Sequence, residues 1–126
     1  MTSLETPRHR VEGLGAAHSG SRHFWRQRVT AVALVPLAIW FGIAVLGLIG
    51  TNEAAVLTFL TRPINAILMA SFVVILLYHM SLGLQDVIDD WVQSNGAKIF
   101  LLLVMRAATI GVGAASLLAL AKIAIG

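Results

Sequence analysis

Cysteine is absent, so neither a disulfide framework nor an iron–sulfur or zinc-thiolate centre can be built from the chain's own residues. Charge is scarce as well. Only 12% of the 126 residues are Asp, Glu, Lys or Arg, where an ordinary soluble domain carries roughly 25%. No charged residue lies between Arg28 and Glu53, and none between Arg62 and Asp86. A Gly-rich phosphate loop, a nucleophile motif and an internal repeat are all lacking. These absences argue against a soluble domain, a thiol-based redox centre and a self-contained hydrolase or nucleotide site.

What fills the chain instead is apolar. Hydrophobic residues make up 58% of it, and the mean hydropathy is +0.86. Both charge-free gaps exceed the roughly 20 residues that cross a hydrocarbon core about 30 Å thick. They predict membrane spans over 29–50 and 63–90, and a third apolar stretch over 98–122, bounded by Lys98 and Lys122, is interrupted between them only by Arg106. In lipid a lone segment satisfies its backbone N–H and C=O groups only by becoming a helix. The expected fold class is therefore all-α integral membrane, with three transmembrane helices. It divides into an N-terminal segment, 1–28, and a membrane-anchor domain, 29–126. Pro36 is a kink point in the first span, whereas Pro63 stands where a first helical turn accepts proline. The first apolar run begins after 28 mostly polar residues and is too long for a signal peptide's core, so it is expected to stay in the mature protein.

Orientation follows from the basic residues. Arg8, Arg10, Arg22, Arg26 and Arg28 precede the first span, while the loop over 51–62 carries only Arg62. Lys and Arg collect on the cytoplasmic side. The N-terminus and the loop near Gln93 are thus expected in the cytoplasm, and the C-terminus outside, with Lys122 opposing weakly. The net charge of +3 reads as this topology signal and not as nucleic-acid binding. Phe24 and Trp25, among arginines, suit the headgroup boundary.

Three spans need something to pack against. Ala107, Gly111, Ala115 and Ala119 recur at every fourth position of the third span, a stripe that lets another helix approach closely. Packing within the chain and packing on a second chain both account for it.

The second span carries the chemistry. His79 lies within an apolar run beginning at Ile64, where an ionisable group is costly enough to count as a functional hypothesis. At about 100° per residue, Gly83, Asp86 and Asp90 fall within roughly 40° of the His79 direction. With a rise of about 1.5 Å per residue, Asp90 is about 16 Å away along the axis, too far to share a metal with His79. The other histidines, His9, His18 and His23, sit near the N-terminus, so a zinc site is not expected. Haem iron needs only one or two axial ligands, and two chains can supply one each. Gly83, one turn from His79, removes a side chain where a flat macrocycle would lie. A hydrogen-bonded interhelical histidine is the competing account.

The segment His79-Met80-Ser81-Leu82-Gly83-Leu84-Gln85-Asp86-Val87-Ile88-Asp89-Asp90-Trp91 resembles the second-span signature of the small hydrophobic membrane-anchor subunits of succinate dehydrogenase. In that family a haem-ligating histidine is followed by a glycine four residues on and by an Asp-Tyr pair eleven and twelve residues on. His79, Gly83 and Asp90 match. Arg10-Val11-Glu12-Gly13-Leu14-Gly15 and His23-Phe24-Trp25-Arg26-Gln27-Arg28-Val29-Thr30-Ala31 look like alphaproteobacterial members. The resemblance implies a subunit of respiratory complex II in the bacterial inner membrane. Its partners would be a second membrane-anchor subunit, an iron–sulfur subunit and a flavoprotein subunit, with FAD and the iron–sulfur clusters held only in the last two. It further implies haem b ligated by His79, Arg28 as a candidate for a haem propionate, and Asp90 and Trp91 at the ubiquinone site. Trp91 departs from the family's tyrosine, which hydrogen-bonds a ubiquinone carbonyl; the indole N–H keeps a donor but changes its reach and acidity. Arg106 is expected to snorkel to the cytoplasmic interface.

Two rival functions remain. A haem-free structural anchor of a related reductase would keep the bundle and leave His79 without iron. A small transporter would be expected to carry a coupling carboxylate deep in a span, and the first and third spans contain none.

Overall fold

A charge gap marks where a chain enters lipid, and each gap becomes a helix. The computed structural model describes residues 17–126, with side chains from Ser21 onward. Arg8, His9, Arg10, the stretch 10–15 and the side chain of His18 lie outside the described residues. Among the described residues four helices follow in order: α1 (Ala17–Leu48), α2 (Glu53–Thr61), α3 (Pro63–Trp91) and α4 (Asn95–Ile125). There is no strand among them. Three segments are long and apolar enough to span a membrane, Ser21–Leu48, Pro63–Trp91 and Asn95–Ile125.

The helices overrun the apolar stretches that predict them. α1 starts at Ala17, well ahead of residue 29, and continues unbroken through Pro36. Arginine is a good helix former, and its long stem can lie along apolar surface while the guanidinium reaches water. α1, α3 and α4 have 32, 29 and 31 residues. At about 1.5 Å per residue each is more than about 40 Å long, against a hydrocarbon core of about 30 Å. Their ends therefore project into the headgroup layers. Because the three alternate in direction, Arg22, Arg26 and Arg28 share one end of the bundle with Asp86, Asp89, Asp90 and Lys98.

The region 51–62, read from the sequence as a loop, contains α2. α1 is closed off at Gly50, whose φ of 80° is a left-handed conformation that glycine adopts without strain. Asn52 then caps α2, its side-chain oxygen accepting from the Ala55 N–H at 3.0 Å. Pro63 opens α3 at a position where a missing N–H costs nothing. The Asn65 side-chain amide donates to the Phe59 carbonyl at 3.0 Å, tying α2 to the start of α3. Trp40 stacks on Phe59 with ring centroids 6.0 Å apart. At the opposite end only residues 92–94 separate α3 from α4, which makes them antiparallel neighbours.

α3 is the central helix. It packs against α1 on one side and α4 on another, while α1 and α4 scarcely touch. Phe41 meets Phe72 across the α1–α3 contact, with ring centroids 4.8 Å apart. Across α3–α4, a Cβ built on Gly113 would lie 3.3 Å from Leu77 Cδ1, so this glycine lets α4 approach closely. The small-residue stripe behaves otherwise: Ala107, Gly111, Ala115 and Ala119 are all exposed. Of the described residues, only Phe72, Leu82 and Leu120 are buried hydrophobics. With so small a core, the apolar surface of α1, α3 and α4 must be covered by lipid or by other subunits.

Candidate functional site: a histidine between two spans

α1 and α3 run antiparallel and are joined by two polar rungs. Thr30 and His79 form one, with Thr30 Oγ1 2.8 Å from His79 Nδ1. His23 and Asp86 form the other, with Nε2 2.6 Å from Oδ1. The spacing explains the pairing, since His23 and Thr30 are seven residues apart on α1, as His79 and Asp86 are on α3. Two turns of helix return each side chain to nearly the same face. The His23–Asp86 contact is close in distance without hydrogen-bond alignment, and the Asp86 side chain is 44% exposed. Partly exposed pairs of this kind add only about 0–1 kcal/mol to stability. Its main effect is to fix register at the bundle end.

The first rung lies deeper. His79 and Thr30 are both half-buried. Thr30 Oγ1 also lies 2.7 Å from the Arg26 carbonyl and 3.0 Å from the Gln27 carbonyl. The other ring nitrogen of His79, Nε2, has no hydrogen bond among the described residues, the Thr30 contact at Nδ1 being the one the ring makes there. One nitrogen is thus engaged by a second helix, as the competing interhelical account expects, while the other carries no such bond, an arrangement also compatible with a metal-bound imidazole. Among the described residues no three His, Asp or Glu side chains come together to hold a metal ion. A Cβ built on Gly83 meets nothing within 4 Å, so open space adjoins His79 one turn along α3. A histidine with one free nitrogen beside an open helix face fits a haem.

The other site candidates are spread around α3. Asp90 is exposed in its last turn, and Trp91, 81% exposed, ends the helix. Successive residues point about 100° apart, so Asp90 stays near the His79 side while Trp91 turns away from it. Anything they bind must be enclosed by other chains. Arg28 is not brought to His79. It lies two residues from Thr30, on the far side of α1, with its guanidinium 4.9 Å from the Phe24 ring centroid. Arg26, one turn before Thr30, reaches a cleft of ≈ 590 Å³ between α3 and α4, where it joins Gln85 and Arg106. On α3 that cleft is centred about 130° from the His79 direction. Sequence reasoning singled out His79 without its Thr30 neighbour, although the matched seven-residue spacing is visible once the two spans are set antiparallel.

These features define a class: a multi-pass helical membrane subunit whose central span carries a histidine and whose apolar faces await lipid or partners. A model of the succinate dehydrogenase/fumarate reductase transmembrane subunit family matches residues 2–113. The succinate dehydrogenase hydrophobic membrane anchor subunit of Paracoccus denitrificans is 40% identical over 93 residues, which are 74% of this chain and 72% of the relative. The anchor subunit of Rickettsia bellii is 33% identical over 97 residues, 77% and 78% of the two chains. That of Reclinomonas americana is 32% identical over 91 residues, 70% and 76%. No solved structure matches. The chain belongs to the succinate dehydrogenase/fumarate reductase transmembrane subunit family. Within it, the chain stands with the hydrophobic membrane anchors of succinate dehydrogenase, as the resemblance around His79 implied. The transporter reading falls away.

Proposed function

We propose that this subunit, paired with a second membrane anchor, holds haem b through His79, forms part of the ubiquinone site with Asp90 and Trp91, and docks the iron–sulfur and flavoprotein subunits on the cytoplasmic face. The observation that carries the haem reading is the His79 ring, engaged by Thr30 at Nδ1 and open at Nε2 beside Gly83. Haem, when bound, supplies a one-electron carrier within the membrane. The chain's own part is to hold that ring between α1 and α3, and to set Asp90 and Trp91 at a helix end where water meets lipid. FAD and the iron–sulfur clusters are assigned to the partner subunits; this chain has no cysteine with which to hold a cluster. Arg28 serves a haem propionate only if the macrocycle's edge comes round to the outer side of α1. The exposed stripe on α4 supports a helical neighbour from outside the chain.

A reduced-minus-oxidised absorption spectrum of the purified complex tests this reading. A b-type haem signal is expected; a complex fully active with quinone and lacking that signal would identify a haem-free anchor. Topology gives a separate prediction. Reporter fusions should place the N-terminus and the turn at Asn95 in the cytoplasm, and Ala55 and the C-terminus on the opposite side, as the arginines require. A cytoplasmic C-terminus would overturn the three-span arrangement.

A further inference from the structure

Thr30 is the only described residue that hydrogen-bonds His79, and its own bonding constrains the ring. A threonine hydroxyl has one proton to donate and lone pairs to accept with. Thr30 Oγ1 lies 2.7 Å from the Arg26 carbonyl, four residues back on α1. In helices threonine commonly donates its proton to such a carbonyl. A hydroxyl whose proton is used there can only accept from His79. The contact at 2.8 Å then requires the proton of the neutral imidazole to sit on Nδ1. The lone pair is left on Nε2, the nitrogen that has no hydrogen bond among the described residues. The opposite tautomer would leave an N–H at Nε2 unpaired inside a membrane span, where an unpaired donor is heavily penalised.

We infer that Thr30 is a positioning residue for the axial histidine: from a neighbouring helix it fixes the Nδ1–H tautomer and the ring plane of His79, and so presents Nε2 to haem iron. This rests on the haem reading given above. The physical consequence is specific. An Nδ1–H that donates a hydrogen bond makes the imidazole a stronger electron donor at Nε2, which favours ferric over ferrous iron and lowers the reduction potential. Without the acceptor, donation weakens and the potential rises. Without the tether, the ring plane is less defined as well. The role is absent from the second-span signature itself, because the hydroxyl comes from α1.

The test uses the complete complex carrying Thr30→Val, Thr30→Ala or Thr30→Ser. Valine keeps the branched shape without the hydroxyl, alanine removes both, and serine restores an oxygen. Redox titration of the haem, the low-temperature ferric resonance signal and haem retention on repeated detergent washing are measured alongside assembly. Thr30→Val and Thr30→Ala are expected to raise the haem potential, broaden or shift the ferric signal, and weaken haem retention by about 10-fold or more. Thr30→Ser should stay close to wild type. Wild-type potential and ferric signal in both hydroxyl-free variants would overturn the inference while leaving His79 as ligand. Failure of both to assemble beside a normal Thr30→Ser complex would assign the hydroxyl to folding and also count against it. A wild-type complex without b-type haem would instead defeat the underlying reading.

Discussion

Replacing His79 with alanine is expected to abolish the b-type difference spectrum of the complex, or to leave a residual haem of altered band position and lower stability. The side chain supplies the only imidazole on α3. On the proposed haem reading the substitution would remove an iron ligand, and it leaves Thr30 Oγ1 without its His79 partner. Loss of one hydrogen bond at a half-buried hydroxyl costs about 0.5–1.5 kcal/mol, so some loss of complex stability should accompany loss of haem. Replacement of His9, in the N-terminal segment, should leave the spectrum unchanged. A wild-type b-type spectrum in an assembled His79→Ala complex would exclude His79 as an axial ligand. If haem disappears while succinate oxidation with an artificial acceptor continues, His79 acts on the membrane side of the enzyme, apart from the succinate chemistry of the partner subunits.

The three spans were legible because charge in lipid is so costly that a run of about 20 or more uncharged, apolar residues is hard to account for except as a membrane crossing. His79 stood out for the same reason in reverse. What could not be read was which side of each helix packs inward. In a soluble helix a polar stripe marks the outer face, but here lipid is as apolar as a protein core, so the outer face carries Val, Ile and Leu just as the inner one does. That is why Gly113, and not the stripe through Gly111, turns out to meet α3. It is also why Thr30 stayed unnoticed in the first span, and why Arg28 is found over Phe24. α2 was hidden by Glu53 and Arg62, whose charges read as a loop, although its Asn52 cap is an ordinary helix-start signal. The resemblance around His79 named the family without the register between α1 and α3, because that register depends on pairs far apart in sequence.

Trp91→Phe is expected to slow succinate:quinone turnover while leaving assembly, haem content and succinate oxidation by an artificial acceptor intact. The substitution keeps an aromatic ring and removes the indole N–H, the one hydrogen-bond donor Trp91 can offer a quinone carbonyl. Trp91 ends α3 at 81% exposure and Asp90 beside it is also exposed, so neither is needed to pack this chain. That separation makes the readout clean, since the change should not propagate through the fold. A single hydrogen bond contributes about 0.5–1.5 kcal/mol, which corresponds to a loss of roughly 2- to 10-fold in quinone affinity or turnover. Reduction of a quinone to a quinol also takes up two protons, and the position of Asp90 at the membrane–water boundary suits delivery of one of them. Asp90→Asn, which keeps the shape and removes the exchangeable carboxyl proton, should therefore depress turnover more than affinity, in contrast to Trp91→Phe. The two variants together distinguish a binding contact from a proton-handling one. Unchanged quinone affinity and turnover in an assembled Trp91→Phe complex would exclude the hydrogen bond, and Trp91 would then act only as an interfacial anchor, the role its exposed position at a helix end equally supports.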